Sequence, residues 1–387
     1  MTGKPSTTVL IANPAADVYG SDLQMLASVS ALRAEGWRVV VAVPADGQLV
    51  PRLRDLGAEI EFVDFPVLRR ASANPTGLAK LAAAVTRALP RMRRLIKRVD
   101  PALVYVNTTT LPWWLLASRS MRVPAICHVH EAEDKDSRMV RKVITWPLRL
   151  ASAVVANGRS AFDTMVAVEP RLSGKAQIVY NGVPAASHEP EEPARRDPAR
   201  IVVVGRLSPR KGVHVALEAV STLRAQGRDV EIELCGSAFE GYEWYVDQLR
   251  ARARDPHLAG AVTFSGYCSP IWPALARADL VVAPSFGESL GNAVVEAQYA
   301  LRPVVATSVQ GHLETVTHEQ TGLLVPVDDV DALAAAIARL LDDKELAGRL
   351  AAEALRQARR RFSTERYDQE ITGLVRRVAD SRRALAH

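Results

Sequence analysis

Short apolar runs alternate with longer amphipathic stretches along the first half of the chain. Val9 to Asn13, Trp37 to Val43, Glu59 to Val63, Leu103 to Asn107, Ala125 to His130, Ala153 to Ala156 and Gln177 to Tyr180 read as buried strands. Helical patterns fill the gaps, the first near Asp22 to Glu35. Such alternation predicts a parallel sheet flanked by helices. The same pattern restarts at Arg200 to Gly205 and continues through Val230 to Leu234, Val262 to Ser265, Leu280 to Ala283 and Val304 to Thr307. Between the halves, Val183 to Pro198 is rich in proline and charge and reads as an exposed link. The expected fold class is therefore α/β: two Rossmann-like doubly wound domains, residues 1–183 and 199–362, facing across a cleft. In such sheets ligands bind beyond the carboxyl ends of the strands, so the crevice is the expected site.

Composition narrows the class. At 387 residues the chain holds two domains of ordinary size, and 48% hydrophobic with 24% charged residues is a globular balance. No run of about 18 apolar residues predicts a membrane span, and the first residues do not read as a signal peptide. Cys127, Cys235 and Cys268 lack metal spacing, which suits buried thiols in a reducing cytoplasm.

Charge adds one feature. The net charge is +6, and no acid occurs between Phe65 and Val99 while Arg69, Arg70, Lys80, Arg87, Arg91, Arg93, Arg94, Lys97 and Arg98 do. Leu78, Leu81, Val85, Leu89, Met92 and Leu95 recur beneath them at helical spacing, and Pro90 is expected to kink or interrupt that helix. Residues 69–98 read either as a surface helix packed on its own domain or as a contact for an anionic membrane surface. No aromatics interleave, so no nucleic-acid partner is expected.

The chemistry concentrates in Pro284 to Ala297. A buried strand ends at Pro284, a loop follows, and Asn292 to Ala300 has helical composition. Glu288 falls in the loop and Glu296 in the helix, eight residues later and on the order of 10 Å away at roughly 1.5 Å per residue. The uncompensated N–H groups of Ser289, Leu290, Gly291 and Asn292 at the helix start favour phosphate. Two glutamates at this spacing are in themselves compatible with a solvated helix face. Val204 to Gly212 supplies Arg206 and Lys211, two cations on a tight loop suited to a diphosphate.

In the first half, Gly20 of Tyr19-Gly-Ser-Asp22 leaves room for close backbone approach, or the segment is simply a helix cap. His128 and His130 end a strand at the expected crevice. A metal pair there lacks a third ligand, whereas one functional histidine, His130, suits a sugar-binding crevice. Asp329-Val-Asp331 directly precedes an amphipathic helix and is better explained by capping than by metal.

Taken together these residues are similar to the retaining glycosyltransferases of family 4, which share the GT-B architecture. Val204 to Gly212, Pro284 to Gly291 with Glu296, and Thr321 to Pro326 resemble the family's donor domain. Tyr19 to Asp22, Gly36-Trp-Arg-Val-Val40 and His128 to Glu131 resemble its acceptor domain.

The resemblance implies that Glu288 binds donor-sugar hydroxyls and Glu296 the ribose, while Arg206 and Lys211 grip the diphosphate with the Ser289 to Asn292 backbone. It also implies phosphate approach at Gly20, a sugar or acceptor hydroxyl at His130 and the base near Tyr267. The helix over 363–387 is expected to pack back on the first domain. The implied reaction is metal-independent, cofactor-free transfer from a UDP- or GDP-sugar to a hydroxyl of a glycan, glycolipid or small molecule. Cell-envelope synthesis at the cytoplasmic face of the membrane is the expected setting. Two departures stand out: Ala300-Leu-Arg302 and Gln310-Gly311 occur where the family favours glycines, the second near the donor sugar. A sugar-nucleotide epimerase and a non-catalytic glycan-assembly protein remain open alternatives. No G-x-G-x-x-G follows either opening strand, which argues against a dinucleotide oxidoreductase.

Overall fold

The apolar runs of the first half lie side by side in one seven-stranded parallel sheet, those of the second half in a six-stranded one. The computed structural model describes residues 7–17, 20–68, 74–130, 137–194, 196–238 and 241–384. Tyr19, Arg69, Arg70 and Glu131 lie outside these. Contacts divide the chain into Met1–Gly182 with Thr364–His387, and Val183–Ser363.

The first unit contains β1 (Thr8–Ala12), α1 (Gly20–Ala34), β2 (Arg38–Val43), α2 (Leu49–Asp55), β3 (Glu59–Phe62), α3 (Pro75–Val99) and β4 (Leu103–Val106). It continues with α4 (Pro112–Ser120), β5 (Ala125–Val129), α5 (Arg138–Thr145), β6 (Ala153–Ala156), α6 (Arg159–Val168) and β7 (Ala176–Ile178). The sheet order is β3-β2-β1-β4-β5-β6-β7. Its central strands are buried on both faces, β1, β4 and β5 completely, which is why they read as continuous apolar runs and not as alternation.

The second unit contains β8 (Ala199–Val204), α7 (Val213–Ala225), β9 (Val230–Cys235), α8 (Glu243–Arg252), β10 (Val262–Gly266), α9 (Trp272–Arg277) and β11 (Leu280–Ala283). Then come α10 (Asn292–Tyr299), β12 (Val304–Thr307), α11 (His312–Thr315), β13 (Leu323–Val325), α12 (Val330–Asp342) and α13 (Lys344–Arg361). Its order, β10-β9-β8-β11-β12-β13, repeats the plan of the first. Asp329 caps α12, its carboxylate accepting from the Ala332 N–H at 2.9 Å. The proline-rich link is mostly exposed but not a free tether. The carbonyl of Glu191 accepts from the buried Arg302 at 2.9 Å, and Arg196 N–H donates to Asp279 at 3.2 Å.

The last helix, α14 (Thr364–Ala384), belongs to the first unit. Tyr367, Ile371, Leu374, Val375, Val378 and Ala379 join the core beneath β1, β2 and α1, and the Tyr367 hydroxyl meets Ser28 Oγ at 2.5 Å. Ile371 is fully buried, so Ile371→Ala is expected to cost about 2–5 kcal/mol. The change reads out as a lower urea midpoint at unchanged slope.

The helix over the basic stretch departs from expectation at Pro90. α3 runs unbroken from Pro75 to Val99 with Pro90 inside it. Pro90 is exposed, so water can reach the carbonyl that loses its N–H partner. On the preceding turn Thr86 Oγ1 donates to Ala82 O and Arg87 Nε to Ala83 O, at 2.8 and 3.2 Å. Both go to carbonyls other than that of Thr86, the one Pro90 leaves without an N–H partner, so solvent is what satisfies it. Ala88, Met92, Leu95, Ile96 and Val99 pack into the core, whereas Leu78, nearer the start, stays exposed.

Candidate functional site

In the second unit the strand order reverses between β8 and β11, so the loops that follow them diverge beyond the carboxyl edge. Such a switch point opens the crevice where doubly wound sheets bind ligands. The β8–α7 loop carries Arg206 and Lys211, and the β11–α10 loop carries Glu288 and Ser289 to Gly291. Phe286 N–H donates to the Arg210 carbonyl at 2.8 Å and ties the two loops together.

That tie lets residues remote in sequence meet. Lys211 Nζ is hydrogen-bonded to Glu288 Oε2 in a mostly buried ion pair, with side chains 21% and 11% exposed. Burial by itself would raise the Glu288 carboxyl, but Lys211 outweighs it and holds the group below its usual range. The pair lines a narrow recess with Gly205, Ser285, Gly291 and His312. Among the described residues, the N–H groups of Ser289, Leu290 and Gly291 have no hydrogen-bond partner. They lead into α10, where the Val294 and Val295 N–H groups donate to the Gly291 carbonyl at 2.9 and 3.3 Å. The site therefore offers a cation and a carboxylate in one crevice, with unpartnered N–H groups on the adjoining loop, groups suited to a phosphorylated polyol.

Glu296 lies on the second turn of α10, partly exposed. Among the described residues no hydrogen bond or ion pair holds its carboxyl, and burial pushes it up to about 7. Arg206 shares the loop of Lys211 and is half-buried. Tyr267 is not brought to the recess. It follows β10, the edge strand two places from β8, and is 66% exposed.

The structure adds His312, which the sequence reading passed over. It starts α11 after β12, and it is almost wholly buried against the recess. Its Nδ1 lies 3.1 Å from the Thr307 carbonyl, which can only accept, so Nδ1 carries the proton. Burial holds the ring down to about 4, hence neutral at pH 7. Gly291 makes room for it: a Cβ there would stand 3.0 Å from His312 Cδ2, on a backbone with φ +89°. Gln310, one of the two family departures, accepts from the Glu288 N–H at 3.1 Å through Oε1. Its side chain thus occupies a backbone donor at the mouth of the loop. Gln310 was marked in the sequence by its departure from the family's glycines, whereas the only signal for His312 was its place just past a strand end.

In the first unit the corresponding switch point lies between β1 and β4. Gly20 opens α1, exposed, and a Cβ there would meet nothing within 4 Å, so no packing demands a glycine. His130 lies just beyond β5, 9% exposed, with Nε2 2.9 Å from Asn107 Oδ1. His128 is fully buried, and Tyr105 OH meets its Nδ1 at 2.6 Å. The two imidazoles lie with centroids 4.0 Å apart and planes tilted by 34°. Among the described residues no group of three or more His, Cys, Asp or Glu side chains is placed to hold a metal ion.

Comparison with known proteins fits this geometry. Residues 185–357 match the family model described as glycosyl transferases group 1, and residues 20–187 the one described as glycosyltransferase family 4. A GDP-mannose-dependent alpha-(1-6)-phosphatidylinositol monomannoside mannosyltransferase of Mycobacterium tuberculosis is 30% identical over 279 residues. That match covers 66% of this chain and 71% of the relative. The chain belongs to glycosyltransferase family 4. A glycogen synthase of Mycobacterium tuberculosis is 31% identical over 236 residues, 59% of this chain and 54% of that enzyme. The chain thus spans about half the length of this and several other curated relatives. Crystalline Anabaena Alr3699/HepE, in complex with UDP and glucose, shares the fold at a TM-score of 0.79. It is 24% identical, with 95% of this chain and 98% of that one covered. This family 4 chain accordingly has two parallel-sheet α/β units of the GT-B architecture.

Proposed function

We propose that this family 4 chain moves a sugar from a UDP- or GDP-sugar to a hydroxyl, retaining the anomeric configuration and using no metal. The observation that carries the reading is the Lys211–Glu288 pair, with the unpartnered N–H groups of Ser289, Leu290 and Gly291 following it in the loop before α10. Arg206, Lys211 and the Ser289 to Asn292 backbone take the diphosphate and stabilise the charge that develops as it leaves. Glu288 accepts from donor-sugar hydroxyls and Glu296 from the ribose. Gly20 leaves room for a phosphate, His130 takes a hydroxyl of the sugar or the acceptor, and no protein nucleophile is assigned. Retention and metal independence rest on family membership.

Glu296 supplies a direct test. Two ribose hydroxyls donate best to an ionised carboxylate, and this one is half protonated near pH 7. Nucleotide-sugar affinity should therefore rise with pH through that value. Calorimetric binding at pH 6 is expected to be about tenfold weaker than at pH 8. Glu296→Gln should flatten the profile; the diphosphate of a nucleotide sugar does not itself titrate there. A flat wild-type profile would remove Glu296 from the ribose, and failure to bind any UDP- or GDP-sugar would defeat the whole reading.

The acceptor is proposed to be a cell-envelope glycan or glycolipid met at an anionic membrane surface. Among the described residues no helix is long and apolar enough to cross a membrane. Support comes from α5 and the turn after it, where Met139, Val143 and Trp146 are 78%, 55% and 52% exposed beside Arg138, Arg141, Lys142 and Arg149. Apolar side chains on a basic helix suit the headgroup boundary. Flotation with vesicles containing anionic lipid is expected to carry the wild type, and Met139→Glu with Val143→Glu to abolish it. Equal flotation with neutral vesicles would count against the charge-driven contact.

A further inference from the structure

Five buried polar side chains gather at the carboxyl edge of the first sheet: Asn13, Asp22, Asn107, His130 and Asn157, each at most 9% exposed. Their hydrogen bonds run in one direction, and main-chain carbonyls set that direction. Asn13 Nδ2 lies 2.8 Å from the Ala15 carbonyl and 2.8 Å from Asp22 Oδ1. A carbonyl oxygen only accepts, so this edge of Asn13 is the amide NH₂ and its Oδ1 points the other way. Asn107 Nδ2 then donates to Asn13 Oδ1 at 2.8 Å and to the Ser21 carbonyl at 3.3 Å. Turning either amide over would set oxygen against oxygen at two contacts, so the orientation follows from the network.

One atom remains to be matched. Asn107 Oδ1 faces His130 Nε2 at 2.9 Å and has only lone pairs to offer, so Nε2 must carry the proton. Asn157 Nδ2 donates to the His130 carbonyl at 3.0 Å, and the His128 ring packs against the imidazole at a tilt, centroids 4.0 Å apart. Both fix where the ring sits. Nδ1 has no partner among the described residues.

We propose that Asp22, Asn13 and Asn107 are positioning residues that lock His130 as its Nε2–H tautomer, so that the Nδ1 lone pair is what it presents to a ligand. The group it takes is then a hydroxyl, which can donate, and not a phosphate oxygen, which cannot. Burial holds this imidazole down to about 4, so at pH 7 it stays neutral and orients the hydroxyl without removing its proton. The hydroxyl's identity as part of the donor sugar or acceptor rests on the transferase reading; the tautomer does not, because it can be read with no substrate present.

The test is nitrogen-15 NMR of histidine-labelled full-length protein, with His130 assigned among the eight histidines by the signal lost in His130→Gln. The wild type should show a protonated Nε2 and a bare Nδ1 from pH 6 to 8. Asn107→Asp keeps an acceptor and should keep that tautomer, whereas Asn107→Leu should lose it. Turnover in Asn107→Leu should fall on the order of a hundredfold with the misplaced ring, and Asn107→Asp should recover part of it. A protonated Nδ1 in the wild type, or an unchanged tautomer in Asn107→Leu, overturns the lock. The wild-type spectrum decides the first point even where Asn107→Leu does not fold. An intact tautomer in a protein that transfers no sugar would instead count against the transferase reading alone.

Discussion

Replacing Lys211 by alanine should lower kcat/KM with the preferred nucleotide sugar by about 10²–10³-fold, the range seen when one preorganised donor to a developing oxyanion is lost. The effect has two parts. The ammonium no longer meets the departing diphosphate, and Glu288 loses the cation that holds its carboxyl ionised within a mostly buried pair. Glu288→Ala should cost a comparable factor, because it strips the acceptor for the sugar hydroxyls and leaves Lys211 without its counter-charge. The two side chains touch, so their effects should not add. The double variant is expected to lose far less than the product of the single losses. Steady-state release of nucleoside diphosphate from the four proteins measures this. Near-wild-type turnover in both single variants would remove the pair from the site, and strict additivity would deny their coupling.

Gly212→Ala should seriously damage the fold of the second unit. Gly212 precedes α7 with φ +65°, a conformation costing other residues roughly 1–2 kcal/mol. A Cβ there would sit 1.9 Å from the Pro284 carbonyl oxygen, which is backbone and cannot rotate away. The β8–α7 and β11–α10 loops would have to part, adding about 1–3 kcal/mol of overpacking strain. Parting them would break the Phe286–Arg210 tie and pull Lys211 from Glu288. Differential scanning should show a clear loss of Tm, and calorimetry a loss of nucleotide-sugar binding. An unchanged Tm would mean the loops approach less closely than described.

Both predictions rest on contacts that periodicity does not encode. The strands were legible because a parallel sheet buried on both faces leaves continuous apolar runs, as in Val9 to Asn13 and Leu280 to Ala283. The helix holding Glu296 was legible from composition, and Asp329 from its place before an amphipathic run. What the linear pattern hides is which loops meet. Lys211 and Glu288 are 77 residues apart, and only the strand order β9-β8-β11-β12 brings them to one crevice. His312 gave no signal because a lone buried histidine looks like any core residue until the glycine opposite it is seen. Pro90 misled because its cost depends on exposure, and solvent on that face lets α3 run on. The basic stretch bears out the reading of a surface helix packed on its own domain: Met92, Leu95 and Ile96 are buried beneath the charged face. In the first unit the Asn13, Asn107 and His130 cluster comes from three strand ends and no local motif.

The account stands most directly on one measurement: nucleoside diphosphate released from a panel of UDP- and GDP-sugars with hydroxyl acceptors, followed by NMR of the product's anomeric centre. It predicts turnover of a nucleotide sugar without added metal, and a product with the donor's anomeric configuration. No release from any donor, release dependent on a divalent cation, or an inverted product would contradict it.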